Sequence, residues 1–192
     1  MNVLIIYAHP NEESFCSAIK KKLVEGLEVN KNIIRIHDLY NSDFNPKLSK
    51  IELIGDPKTL SDYKTIEKYQ QDIIWANLII IIHPVWWYGA PAIMKGYFDR
   101  VLAEGFAFIF ENDAPDPKLL DKKGIIIQTF DATEEMEQKQ FHDITYKNIY
   151  YTWKYCGVED WQRKAFHRVN HVSHEQRTKW LNEINVIGKS IN

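Results

Sequence analysis

LIIIIHPVWWYGAPAIMKGYFDRVLAEGFAFIF, Leu78 to Phe110, is the stretch on which the reading of this chain turns. Leu78 to Ile82 is an unbroken apolar run rich in β-branched residues, the pattern of a strand buried on both faces. It stops at His83-Pro84 and gives way to three consecutive large rings, Trp86, Trp87 and Tyr88, followed by Gly89. Pro91 suits the first turn of a helix. Ile93, Met94, Tyr97, Phe98 and Val101 then recur at helical spacing, leaving Lys95, Asp99 and Arg100 for the outer face. The order is strand, aromatic loop, helix.

Open α/β sheets bind ligands at loops that follow the carboxyl ends of their strands. Three rings there, beside a glycine that admits close backbone approach, suit a flat aromatic cofactor better than a sugar or a metal. Any one ring alone fits a core or interface position equally well. Three in succession do not, because a tight loop cannot aim all of them into one core.

From His83 through Trp86-Trp-Tyr-Gly-Ala-Pro91 to Arg100-Val and on to Glu104-Gly-Phe-Ala-Phe108, the sequence resembles the signature of the flavodoxin-like NAD(P)H:quinone oxidoreductases, the DT-diaphorase and "modulator of drug activity" group. The resemblance implies that Pro84, Val85, Trp86, Trp87, Tyr88 and Gly89 contact a non-covalent flavin, FAD or FMN, with NADH or NADPH as co-substrate. It implies a quinone or similar flat acceptor, and a homodimer in which Phe106, Phe108 and Phe110 line the partner's pocket. In some relatives the class is different: a flavin-binding regulatory subunit of a potassium-efflux system.

Bulk properties agree with an ordinary enzyme domain. The chain has 192 residues, 45% hydrophobic and 26% charged, with a formal net charge of −2. That length supports a proper core without staples, and that charge supplies no footprint for nucleic acid. No apolar run approaches a membrane span, and the chain enters a strand at once without a leader pattern, so a cytoplasmic protein is expected. Cys16 and Cys156 are the two cysteines and stand far apart, which fits a reducing compartment. The seven histidines form no metal-binding motif, and no metal is expected.

Val3 to Tyr7 is the natural first strand. It leads through Ala8-His-Pro-Asn-Glu-Glu-Ser14 to a helix striped by Phe15, Ala18, Ile19 and Leu23 and closed by Gly26. A helix start after a first strand is the standard place for phosphate, because free amides and the dipole's positive end meet there. Ser14 reads either as a plain N-cap or as a cap that also meets phosphate. The family resemblance implies flavin contacts at His9, Ser14, Phe15, Cys16 and Ala18; Cys16 replaces a common Asn, and a thiol at a helix start has the option of a lowered pKa.

Ile33 to Asp38 reads as strand two. The Asp38-Leu-Tyr and Phe44-Asn-Pro pattern that follows again resembles the family, inside a surface excursion reaching about Leu60. A helix from Thr59 or Ser61 to Trp75 returns the chain to the central strand. Glu111 to Lys123 reads as a polar loop without strand period, and Gly124 opens the fourth strand, ending at Thr129, Phe130 and Asp131. Many relatives have a Thr-Thr-Gly-Gly turn there against the flavin's pyrimidine side, and this chain lacks both glycines. The resemblance places Met136 where some relatives have a catalytic Tyr and His142 where they have a His, which makes His142 the one catalytic candidate.

Phe141 to Gly157 reads as a helix and Trp161 to His167 as strand five. Ser173-His-Glu-Gln176 reads as a capping-box start to a last helix ended by Gly188. Strands alternating with helices, without repeat or linker, predict one α/β domain over residues 1–192. Pattern and resemblance together predict a flavodoxin-like, doubly wound, five-stranded parallel sheet in the order 2-1-3-4-5 with helices on both faces.

Overall fold

Strands β1 (Asn2–Tyr7), β2 (Ile33–Asp38) and β3 (Leu78–Pro84) form the first half of a parallel sheet in the computed structural model, which describes residues 1–192. A hairpin, β4 (Phe108–Glu111) and β5 (Ala114–Pro117), stands apart from it. Strands β6 (Lys123–Thr129) and β7 (Asp160–Phe166) complete the sheet, whose order is β2-β1-β3-β6-β7. With the hairpin set aside this is the expected 2-1-3-4-5.

The apolar runs are continuous because each central strand feeds two cores. Leu4, Ile6, Ile79, Ile81 and Ile126 face one side, while Val3, Ile5, Leu78, Ile80, Ile82 and Ile127 face the other. Each fully buried side chain of this kind contributes about 1.5–3 kcal/mol. Helices α1 (Phe15–Val29) and α6 (His174–Ser190) cover the second side. Helices α3 (Tyr63–Trp75), α4 (Ala92–Val101) and α5 (Ile144–Tyr155) cover the first.

Three local readings are corrected. The segment taken as a polar loop holds the β4–β5 hairpin, turned by Asn112 and Asp113 at φ 53° and 60°, the left-handed pair that a tight hairpin requires. The excursion after β2 contains a short helix, α2 (Lys50–Ile54), capped reciprocally by Ser49 and Glu52. There are thus six helices where five were expected. The third correction concerns Gly26 and Gly188, expected to end helices and found inside them. They face each other where α1 crosses α6: a Cβ on Gly26 would lie 2.4 Å from the Asn185 carbonyl oxygen and 2.9 Å from Gly188 Cα.

Ser173 caps α6, accepting from the Gln176 amide at 3.1 Å, while the reciprocal Gln176 bond of the expected capping box is not made. Gly157, at φ 106°, follows α5 in the left-handed conformation that suits a helix end.

Backbone lies on both sides of the Gly26 contact, so neither helix can relieve an added methyl by moving a side chain. Gly26→Ala is expected to lower unfolding free energy by about 1–3 kcal/mol. Urea midpoints with an unchanged m-value are the check.

Candidate functional site

The loop after β1 is ordered by local hydrogen bonds and not by glycine. The Asn11 amide donates to His9 Nδ1 at 3.0 Å, the Glu13 amide to Asn11 Oδ1 at 2.8 Å, and the Ser14 amide to the Asn11 carbonyl at 3.2 Å. Because His9 Nδ1 accepts, its proton sits on Nε2. Burial pushes the pKa of His9 below the ordinary histidine value. Ser14 caps α1, its Oγ accepting from the Ser17 amide at 3.1 Å. The amides of Phe15 and Cys16 find no partner in the chain, as expected of a helix start.

The loop after β3 is a two-residue hairpin turn. Trp86 and Gly89 exchange backbone bonds of 3.0 and 3.1 Å around Trp87 and Tyr88, at φ 49° and 57°. Bulky residues seldom adopt that conformation, which costs each about 1–2 kcal/mol. Its effect is to scatter the three rings. Trp86 turns to His9, 5.8 Å between ring centroids; Trp87 is 98% exposed; Tyr88 lies on Phe141 at 3.9 Å. The amides of Trp87 and Tyr88 at the centre of the turn are unbonded within the chain.

The loop after β6 is fixed from beneath. His83, wholly buried, donates through Nδ1 to the Pro84 carbonyl at 2.7 Å and accepts from Gln128 Nε2 at 3.3 Å. Gln128 Oε1 accepts from Arg163, which also reaches Asp143 at 2.7 Å and buried Glu137 at 2.8 Å. Glu137 lies within a π-helical turn, Met136–Gln140, and Asp143 follows it, so Arg163 ties the end of β6 to the segment that follows it. The Val85 amide bonds the Thr129 carbonyl at 2.8 Å, and Cys16 Sγ lies 3.2 Å from Thr129 Oγ1, which joins all three loops. The amides of Asp131 and Ala132 are unbonded within the chain.

Together these loops enclose a cleft of about 540 Å³ at the carboxyl edge of the sheet. His9, Ser14, Phe15, Cys16 and Ala18 line it from β1 and α1, Pro84, Val85 and Trp86 from β3, and Thr129, Phe130 and Asp131 from β6. Donor amides, a capping hydroxyl and ring surfaces around one opening suit a planar, anionic, nucleotide-like group.

A family model described as "Flavodoxin-like fold" matches residues 1–186. The chain belongs to this family. It is 33% identical over 181 residues to an uncharacterized NAD(P)H oxidoreductase of Haemophilus influenzae, covering 92% of this chain and 89% of that one. It is 26% identical over 199 residues to NAD(P)H dehydrogenase [quinone] 1 of Rattus norvegicus, covering 93% and 73%. An FMN-dependent NADH-azoreductase of Bacillus anthracis, solved in complex with FMN, shares the fold with a TM-score of 0.81 at 18% identity, over 99% of this chain and 98% of that one.

Several residues named from sequence lie elsewhere in this flavodoxin-like chain. Trp87, Tyr88 and Gly89 do not line the cleft. His142 is exposed, at φ 51°, and lies outside it as well; Met136 sits in the π-helical turn. Phe106 and Phe108 line a second cavity of about 530 Å³, and Phe110, half exposed, lines neither. Burial pushes the Cys16 thiol up to about 12, so a lowered thiol pKa is excluded here.

Five cleft residues were not anticipated: Asn11, Glu13, Val169, Asn170 and Arg177. The last three belong to the loop after β7 and the start of α6, where Arg177 bonds the carbonyls of Val169 and Val172 at 3.2 Å. A fifth parallel strand ends at the same edge as the others, and that topology was the available signal.

Burial holds the His83 pKa down at about 4. The unfolded chain, with an ordinary value near 6.5, therefore binds this proton first, and stability falls as pH drops from about 6.5 toward about 4. Between pH 7 and pH 5, His83→Gln is expected to remove about 2 kcal/mol of acid sensitivity, read from urea midpoints at each pH.

Proposed function

We propose that this chain is a flavin-dependent NAD(P)H:quinone oxidoreductase. The observation that carries the reading is the convergence of three strand-end loops, with free amides at Phe15, Cys16 and Asp131, around a cleft bordered by Trp86. The names of the Haemophilus and rat relatives support NAD(P)H and quinone as the reacting partners. When bound, the flavin supplies the redox chemistry, carrying a hydride equivalent from NAD(P)H to the quinone in two half-reactions that share one slot.

The chain's own residues bind, orient and shield. Ser14 and the amides at the start of α1 meet phosphate; Trp86 and the Val85 backbone hold the ring system; the unbonded Asp131 amide of the β6 loop meets its polar edge. Two electrons and one proton leave NAD(P)H as hydride, and the quinone takes these with one solvent proton to become a hydroquinone. Protons come from water, so no buried acid is required, which accommodates Met136 and the surface position of His142. His142 retains only a minor role in this reading, at the acceptor's edge.

Asn170 and Arg177 extend the cleft beyond α1, and a cation there favours FAD, whose second phosphate it would neutralise. Phe106, Phe108 and Phe110 belong to a subunit contact in a homodimer, with Phe110 as the exposed anchor. Two free, buried cysteines fit a cytoplasmic setting.

The purified protein is expected to be yellow, to release FAD or FMN on denaturation, and to oxidise NAD(P)H when menadione is supplied. A colourless protein that stays empty in excess flavin refutes the assignment. Trp86→Ala is expected to raise the flavin Kd about tenfold and Trp87→Ala less than about twofold, since an aromatic contact is worth about 0.5–1.5 kcal/mol. Equal losses would show that the cleft is not where the ring binds. Arg177→Gln should weaken FAD about tenfold and FMN less than about threefold, measured by fluorescence titration of apoprotein.

A further inference from the structure

We infer that Phe141 is a positioning residue for the flat acceptor, acting through Tyr88. This rests on the oxidoreductase reading above. Tyr88 is held at two points. Its backbone is set by the Trp86–Gly89 turn at φ 57°, and its ring lies on Phe141 with centroids 3.9 Å apart and planes inclined by 36°. The ring remains 44% exposed. Trp87, its neighbour in the turn, is 98% exposed and has no ring partner.

Phe141 is itself set by the segment after β6. Its amide donates to the Met136 carbonyl at 3.2 Å, at the end of the π-helical turn, and His142 and Asp143 follow at φ 51° and 57°. Asp143 is fastened by Arg163. The Tyr88–Phe141 stack therefore joins the β3 and β6 loops, which both line the cleft, on a stretch where neither loop offers a hydrogen bond to the other side chain.

A separation of 3.9 Å leaves no room for a third ring between the two. A planar ligand would instead extend the stack on the open face of Tyr88. An exposed ring already fixed in backbone and side chain loses little freedom when such a ligand lands, which is the source of its selectivity. A non-aromatic acceptor gains nothing from it. The platform thus distinguishes bicyclic quinones from acceptors without a π-face.

Phe141→Ala, Phe141→Leu and Phe141→Tyr decide the matter. Steady-state KM for menadione is measured against KM for ferricyanide in flavin-loaded enzyme, and Kd for oxidised menadione by calorimetry without NAD(P)H. Ala and Leu should raise the menadione to ferricyanide KM ratio, and the menadione Kd, about fivefold, or about 1 kcal/mol, with kcat lowered less than about twofold. Tyr should restore wild-type values. A Leu variant that behaves as wild type, or equal rises for both acceptors, overturns the inference and leaves a simple fastening between loops. If the wild-type protein takes up no flavin, the oxidoreductase reading falls; the calorimetric arm still decides Phe141, since menadione binding indifferent to its ring refutes the platform by itself.

Discussion

Parallel hydrogen bonding among β1, β3 and β6, each apolar on both faces, is the constraint from which the cleft follows. Strands paired this way must all leave the core at one edge, and their next residues lack partners for several backbone amides. In register, β3 and β6 end level at Pro84 and Thr129, and β1 ends two residues short of them, Tyr7 lying opposite Ile82. The donors at Phe15, Cys16 and Asp131 therefore belong to residues that line a common opening. The site is the edge of the core, expressed as hydrogen-bonding capacity.

Where the sequence was legible, one physical rule dominated locally. Leu78 to Ile82 could only be a doubly buried strand, and Ser14 and Ser173 could only be caps, so sheet order and helix starts follow. The misreadings arose where tertiary geometry overrode local signals. Gly26 and Gly188 look like terminators because a glycine's helical cost is visible in sequence, whereas the helix crossing that requires them is not. Asn112-Asp113 is a hairpin turn hidden among prolines. Trp86, Trp87 and Tyr88 are adjacent in sequence and were expected to act together; two left-handed residues send their rings three ways. Arg177 reaches the cleft from the first turn of α6, whose sequence carries no cofactor pattern.

The Phe44-Asn-Pro motif has a mechanical explanation. Phe44 packs against Tyr69 and Tyr97, Pro46 lies where a Cβ on Gly96 would fall, and Arg100 binds the Asn45 carbonyl, Glu52 at 2.6 Å and both oxygens of Asp62. Arg100, assigned to the outer face of its helix by spacing, is instead almost fully buried, because two carboxylates match its charge, the condition under which a buried cation is tolerated. The excursion after β2 is thereby strapped onto α4. Since α4 follows directly from the aromatic turn, the strap also steadies that turn from behind.

The contact of Gly26 with Gly188 has a reach beyond its own neighbourhood. Helices α1 and α6 both begin at the cleft, one with Ser14 and the other with Ser173 and Arg177, and they touch most closely near their far ends. Two rods pinned at the tail have their heads set by the pin. A bulkier pair there would splay the openings, so the gap between the Ser14 hydroxyl and the Arg177 guanidinium is gauged by two residues that line no part of the cleft.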